Sequence, residues 1–340
     1  MLDDVLTAWP QVHAALAAHA ALPAAGGLIN ATWLVGPDHV LQRLHPIFAA
    51  EVCLDIAALT PRLTASGVPV PHLVPTASGA LWVERDGVWR VLTRLPGRNA
   101  AGAGTLGQIH SAARALADFH GALAGVEHRF AFARLGIHDT PAHMARLADA
   151  VAEHRDHRLA HRVAPLADAI LEAWNGWEPA PGLPTRLGHG DPKLANFLFE
   201  GDAVTGVIDL DTLGHTTLDA ELGDALRSWC STTDESAPGP RFSTDRYAAA
   251  LAGYLPRARP WLDPRELAVL PRAAERVALE LASRFAADAL HERYFGWDPA
   301  LAPTRGEHNL LRAENQLALA RDARAERGAL EDATAAALRA

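Results

Sequence analysis

Between Leu187 and Thr212 the chain constrains its own fold more than anywhere else. The stretch reads Leu187-Gly188-His189-Gly190-Asp191-Pro192-Lys193-Leu194-Ala195-Asn196-Phe197-Leu198-Phe199, and after a short break Val204-Thr205-Gly206-Val207-Ile208-Asp209-Leu210-Asp211-Thr212. The spacing is H-x-D-x-x-x-x-N, followed by an apolar strand that ends in D-x-D. Apolar runs on either side of a loop punctuated by Gly190 and Pro192 read as strand, loop and strand. Asn196 lies one turn of loop beyond Asp191, and Asp209 closes the neighbouring strand. A fold that accommodates this segment therefore brings Asp191, Asn196 and Asp209 to one cleft.

The rest of the chain divides into two textures. Residues 28–35 are strand-like, Gly36-Pro37-Asp38 is a turn, and residues 39–44 form a second strand, so the pair reads as a hairpin. A helix is expected from about Ala49 to Leu63, with Val52, Ile56, Leu59 and Leu63 on one stripe. Residues 80–84 and 88–93 flank a turn at Asp86-Gly87. At Leu95-Pro96-Gly97-Arg98-Asn99 the texture changes. Leu106, Ile109, Ala113, Leu116, Phe119 and Leu123 then mark an amphipathic helix. A further helical stretch runs from about Pro141 to Trp174, and the remainder after the 187–212 segment is helical apart from a polar loop at 232–243. The expected architecture is a two-lobed α+β fold, with a small β-rich lobe over residues 1–95 and a larger, mainly helical lobe over residues 96–340.

Composition narrows the function classes. With 49% hydrophobic and 21% charged residues the chain builds a real core. A net charge of −9 is unsuited to nucleic-acid binding, which needs a basic face. Cys53 and Cys230 stand far apart and outside any C-x-x-C pattern, which argues against a disulfide framework or a zinc ribbon. The opening Met1-Leu2-Asp3-Asp4 lacks the basic region of a secretory signal, and the Ala run from Ala14 to Ala25 is broken by His19 and Pro23. No membrane segment is expected, and a cytoplasmic location is.

The three converging polar groups match the needs of phosphoryl transfer from ATP. One carboxylate must orient the acceptor hydroxyl and take its proton, and oxygen ligands must hold Mg²⁺ against the phosphates. Asp191 suits the first role, Asn196 and Asp209 the second, and Asp211 can assist the metal. The pattern resembles the catalytic loop and metal-binding Asp of protein kinases. With Gly190 and Pro192 it more closely resembles the aminoglycoside phosphotransferase and choline kinase superfamily.

Asp209-Leu210-Asp211-Thr212, the stretch Glu221-Leu222-Gly223-Asp224-Ala225-Leu226-Arg227, and Gly306-Glu307-His308-Asn309-Leu310-Leu311-Arg312 with Gln316 are similar to the N-acetylhexosamine 1-kinase branch. So are Gly27-Leu28-Ile29-Asn30-Ala31-Thr32-Trp33 and Leu41-Gln42-Arg43. Glu221 departs from the Asp usual there. The resemblance implies a protein-kinase-like fold, ATP and Mg²⁺ as cosubstrate and cofactor, and a small-molecule acceptor, a sugar phosphorylated on its anomeric hydroxyl. It places Gly27 and Arg43 on the phosphates, with Glu51 or Asp55 orienting Arg43. It places the backbone of the 92–95 hinge, through Thr93 and Leu95, on adenine. Arg227, His308 and Arg312 are its candidate sugar contacts, each of which also serves as a salt-bridge or capping residue in other settings. Two rivals remain: a kinase for a cationic acceptor such as an aminoglycoside or choline, hinted at by Asp234 and Glu235, and a catalytically inactive kinase-like binding protein.

Other patterns carry less. Gly102-Ala103-Gly104-Thr105-Leu106-Gly107 matches G-x-G-x-x-G, but a polar linker rather than a strand precedes it, so it reads as a helix start. His154, His157 and His161 share a helical face amid Glu153, Arg155, Asp156, Arg158 and Arg162, which reads as a solvated charged face. Neither a G-x-x-x-x-G-K-[ST] run nor a G-x-S-x-G elbow is present.

Overall fold

The computed structural model describes residues 2–18, 20–24, 29–132, 136–177 and 180–339. Two short helices, α1 (Leu2–Leu6) and α2 (Pro10–Ala18), open the chain. A six-stranded antiparallel sheet follows, built from β1 (Leu22–Pro23), β2 (Ala31–Val35), β3 (His39–Arg43), β4 (Leu73–Val74), β5 (Val83–Glu84) and β6 (Val88–Thr93). Helix α3 (Val52–Ala65) lies between β3 and β4. Both expected turns form: Gly36 has φ 62°, and Asp86 and Gly87 have φ 47° and 116°. The opening helices were not legible beforehand. Their Val5, Leu6, Trp9 and Val12 are buried with Val35, Leu41, Trp89 and Val91 on one face of the sheet.

The period of two along each strand then decides what the other face carries. With Leu41 and Trp89 turned into that core, Gln42 and Arg90 face the opposite way, and the register sets Thr32 beside Gln42 and Gln42 beside Arg90.

Beyond Leu95 the chain is mainly helical. A two-residue strand β7 (Arg98–Asn99) leads to α4 (Leu106–Leu123), α5 (Thr140–Glu153) and α6 (Ala160–Trp174). The single stretch expected from Pro141 to Trp174 is thus two helices, parted at 154–159. Then come β8 (Thr185–Gly188), β9 (Phe197–Glu200), β10 (Ala203–Val207) and β11 (Gly214–Thr217), followed by α7 (Leu218–Trp229), α8 (Thr244–Ala258), α9 (Pro264–His291), α10 (Arg305–Ala325) and α11 (Arg327–Arg339). β9 pairs with β10 and β7, and β8 pairs with β11. Gly102 and Gly104 adopt positive φ ahead of α4, whose Thr105 and Gln108 form a reciprocal capping box. The G-x-G-x-x-G match is therefore a helix start. α9 runs for 28 residues, is capped by Asp263 and Glu266, and packs against α10, α7, α5 and α6. No helix among the described residues is long and apolar enough to cross a membrane.

Candidate active site

The loop after β8 is held from behind by α7. Glu221 is fully buried, and its carboxylate accepts the backbone N–H of His189 at 2.8 Å and of Gly190 at 3.0 Å. His120 of α4 stands 3.1 Å from the same carboxylate. Burial pushes the Glu221 carboxyl up, but His120 and the loop amides outweigh it and hold it below the usual carboxylate range. Ser228 and Trp229, two turns on along α7, bind the backbone of Leu194 and Pro192. Gly190 has φ 82°, and a Cβ there would lie 2.1 Å from the carbonyl oxygen of Thr212, so only glycine fits. Glu221 therefore supports the 189–196 loop from behind, a role the sequence left open.

That scaffold presents Asp191 with Lys193 on its carboxylate at 2.5 Å. Asn196 donates to the Asp191 carbonyl at 2.7 Å and to its carboxylate at 3.2 Å. Burial disfavours the Asp191 anion, yet the Lys193 ammonium prevails and its pKa lies below the ordinary value. Lys193 was not singled out from sequence. Its position two residues beyond Asp191 was the available signal.

Asp209 follows directly on Ile208, whose N–H bonds the Asn196 carbonyl at 2.9 Å. It adopts a left-handed backbone, φ 65° and ψ 60°. Its carboxylate accepts no hydrogen bond from the described residues, and neither does the side-chain oxygen of Asn196. Burial, then the charge of Asp211, push the Asp209 carboxyl up to about 6, with Lys193 opposing and Asp191 adding to the rise. Two neighbouring oxygen donors without protein partners, in a site of excess negative charge, fit a hard divalent cation such as Mg²⁺.

Asp211 faces the other lobe. Arg90 grips it at 2.6 and 2.8 Å, and Asn30 donates to it at 2.6 Å. Its oxygens are thus claimed by the β-rich lobe, which corrects the expectation that it assists the metal. The arginine expectation is corrected too. Arg43 lies on the Trp89 side of the sheet, bound to the backbone carbonyl and the carboxylate of the exposed Asp86, with its guanidinium 5.7 Å from the Trp89 ring centroid. Gln42 takes the inward position on β3 and accepts from Arg90 at 2.7 and 3.0 Å. Neither Glu51 nor Asp55 orients an arginine: Asp55 binds His128 and the backbone of Ala131 and Phe132, and α3 instead turns Cys53 toward Arg90. Strand alternation around Trp89 was the signal for Arg90.

At the hinge, Thr93 spends its N–H and hydroxyl on His72, and Arg94 its N–H on Asp38. The Leu95 N–H has no partner among the described residues, so of the two hinge positions Leu95 retains a free donor. Gly27 lies outside the described residues.

Arg227 is buried and bound by Asp224 at 2.8 and 2.9 Å and by Glu235 at 2.7 Å. Burial raises the Asp224 carboxyl, Arg227 opposes, and the charge of Asp191 adds to the rise, which places this pair beside Asp191. His308 binds Ser236 at 2.8 Å, and Arg312 binds the Gly296 carbonyl at 2.9 Å. Glu235 acts electrostatically on Arg227, His308 and Arg312, so the three lie round one loop end. Of the histidines of the 154–161 face, His157 meets Glu292 at 3.3 Å, and His154 stands beside both His157 and His291, with ring centroids 6.5 and 5.0 Å away.

The chain is similar to known proteins in sequence and in fold. A homoserine kinase of Methylobacterium sp. (strain 4-46) is 34% identical over 132 residues, 39% of this chain and 37% of that protein. A homoserine kinase of Methylobacillus flagellatus is 28% identical over 222 residues, 62% of this chain and 63% of that one. The chain thus spans less than two thirds of the curated relatives it matches. Among solved structures, the GDP complex of aminoglycoside 2'-phosphotransferase-IIIa superposes with a TM-score of 0.61 at 14% identity, covering 92% of this chain and 96% of that one. A microcompartment-associated aminopropanol kinase gives 0.59 at 20% identity, over 91% and 93%. Their likeness shows the fold. The family model described as the Phosphotransferase enzyme family (APH) matches residues 20–261, the span that holds the sheet, the 189–196 loop, Asp209 and Asp211, and the chain belongs to that family.

Proposed function

We propose that the chain transfers the terminal phosphoryl group of Mg²⁺-ATP to a hydroxyl of a sugar, the anomeric hydroxyl of an N-acetylhexosamine. Residues 1–95 form the nucleotide lobe and residues 96–340 the catalytic and acceptor lobe. The observation that carries the reading is the pairing of an ionised Asp191 with the unclaimed oxygens of Asp209 and Asn196 on one loop system. Asp191 takes the proton of the acceptor hydroxyl as its oxygen bonds to the γ-phosphorus and the bridging P–O bond to ADP breaks. Asp209 and Asn196 would hold the cation, which neutralises charge on the phosphates when bound. Lys193 keeps Asp191 anionic, and the Leu95 N–H is the donor offered to adenine.

The charge balance beside the base favours a neutral acceptor. Asp224 and Glu235 each give one oxygen to Arg227, and Arg312 and His308 stand close by, so the two carboxylates are offset by two guanidinium groups. The named activities of the relatives favour a second reading, an amino alcohol or aminoglycoside acceptor. The test is ADP release with Mg²⁺-ATP against N-acetylhexosamines, neutral hexoses, aminoglycosides, amino alcohols and homoserine. Turnover on one N-acetylhexosamine, abolished when its anomeric oxygen is capped, is the expected result. Turnover confined to amino acceptors overturns the sugar assignment and keeps the kinase. Binding of nucleotide without turnover on any acceptor turns the reading to an inactive binding protein.

A further inference from the structure

Arg90 is an unusual residue to find where it is. Its side chain is 2% exposed and that of its partner Asp211 is fully buried. Burying such a pair gives little net stability, because desolvation offsets most of the attraction, and an apolar pair of similar volume is often as good. The guanidinium is also fully committed: two nitrogens on Asp211, two contacts on Gln42, and Cys53 alongside. It has no free face to offer a phosphate. What the pair achieves is positional, and what it positions is a strained turn.

Asp211 sits within the 3-10 turn Leu210–Thr212, immediately after the left-handed Asp209. A non-glycine residue in that conformation costs about 1–2 kcal/mol and persists only where its surroundings over-determine it. The constraints come from outside the turn. The Thr212 hydroxyl is fixed on the His189 carbonyl at 2.8 Å, and the Asp211 carboxylate on Arg90 and Asn30. Asn30 is itself held by the His45 N–H at 2.9 Å.

We propose that Arg90, acting through Asp211, is the positioning residue that sets the metal-binding turn, so that the sheet of the nucleotide lobe fixes the geometry of a metal ligand in the helical lobe. The proposal rests on the phosphotransferase reading and goes beyond it. Binding of Mn²⁺-ADP, followed by calorimetry and by the Mn²⁺ paramagnetic resonance signal, tests it without turnover. Arg90→Gln is expected to weaken Mn²⁺-ADP about tenfold or more, the size of effect seen when a group supporting a metal ligand is removed. Metal-free ADP is expected to bind the variant within about twofold of the wild type on the same grounds, and Arg90→Lys to recover part of the loss.

Wild-type affinity for Mn²⁺-ADP in a folded Arg90→Gln protein, or equal losses for ADP with and without metal, overturns the proposal. Should Arg90→Gln fail to fold, Asn30→Ala removes one neutral hydrogen bond from the same carboxylate. It is expected to weaken Mn²⁺-ADP while sparing ADP, and no change there overturns the proposal equally. Absence of Mn²⁺-ADP binding by the wild type would sink the phosphotransferase reading itself, whereas wild-type binding that the variants retain sinks only the role of Arg90.

Discussion

Two carboxylates eighteen residues apart in the sequence are driven in opposite directions. Asp191 is held ionised by Lys193, while Asp209 is pushed up to about 6. A base must be ionised at neutral pH, and a metal ligand without its metal is a costly buried anion. Replacement of Asp191 by Asn keeps the shape and removes the proton acceptor, so kcat is expected to fall by about 10²–10⁴ with nucleotide affinity retained. Turnover within severalfold of wild type would remove Asp191 from the role of base. For Asp209 the folded-state value lies above that of an unfolded carboxylate. Its contribution to stability is therefore full at low pH and lost as pH rises through about 6. A cation binds the ionised form, so the increase in Tm on adding Mg²⁺ should grow as pH rises through about 6 and flatten in Asp209→Asn. Thermal melts with and without Mg²⁺ across that range decide it, and a gain independent of pH would place the metal elsewhere.

At the scale of elements, the 189–196 loop is shaped less by its own sequence than by α7 behind it. Glu221 and Ser228–Trp229 lie on the α7 side that meets the loop, and Gly190 lets it pass against Thr212 without a Cβ. Gly190→Ala meets both a left-handed φ and a carbonyl oxygen, so it is expected to lose at least about 1–2 kcal/mol in denaturant unfolding and most of kcat. An alanine variant with unchanged stability would mean that the loop relaxes freely.

The same elements show what was legible in the sequence. The strand–loop–strand spacing placed Asp191, Asn196 and Asp209 correctly near one another because their separation is local. The direction of Arg43 depends on which face of the sheet α1 and α2 cover, and those helices have weak apolar patterns, while the partner that claims Asp211, Arg90, lies 121 residues away in sequence. Once Trp9 and Trp89 are seen to share a core, alternation alone turns Arg43 outward and Arg90 inward. Glu221 stood out in the sequence only as a departure from the usual Asp, because nothing in α7 itself reveals that two loop amides point at it.

For the whole molecule, the two lobes meet through polar groups as well as apolar ones: Arg90 and Asn30 reach down to Asp211, and Cys53 of α3, beside Arg90 in the same lobe, is buried in a core shared with Ile109 and Leu210 of the other. The second cysteine, Cys230, is buried deep in the helical lobe just after α7. Burial raises both thiols, so neither reacts while covered. The chain thereby carries two natural clocks. A thiol reagent can reach Cys53 only when the lobes part, and Cys230 only when the helical lobe itself opens. The expected result is biphasic labelling, with Cys53 modified first, slowed by Mg²⁺-ADP, and Cys230 following at the rate of global unfolding. Equal rates would mean that the lobes do not separate short of unfolding. The wild-type protein can thus report the opening of its own cleft, with the interior of the helical lobe as the internal standard.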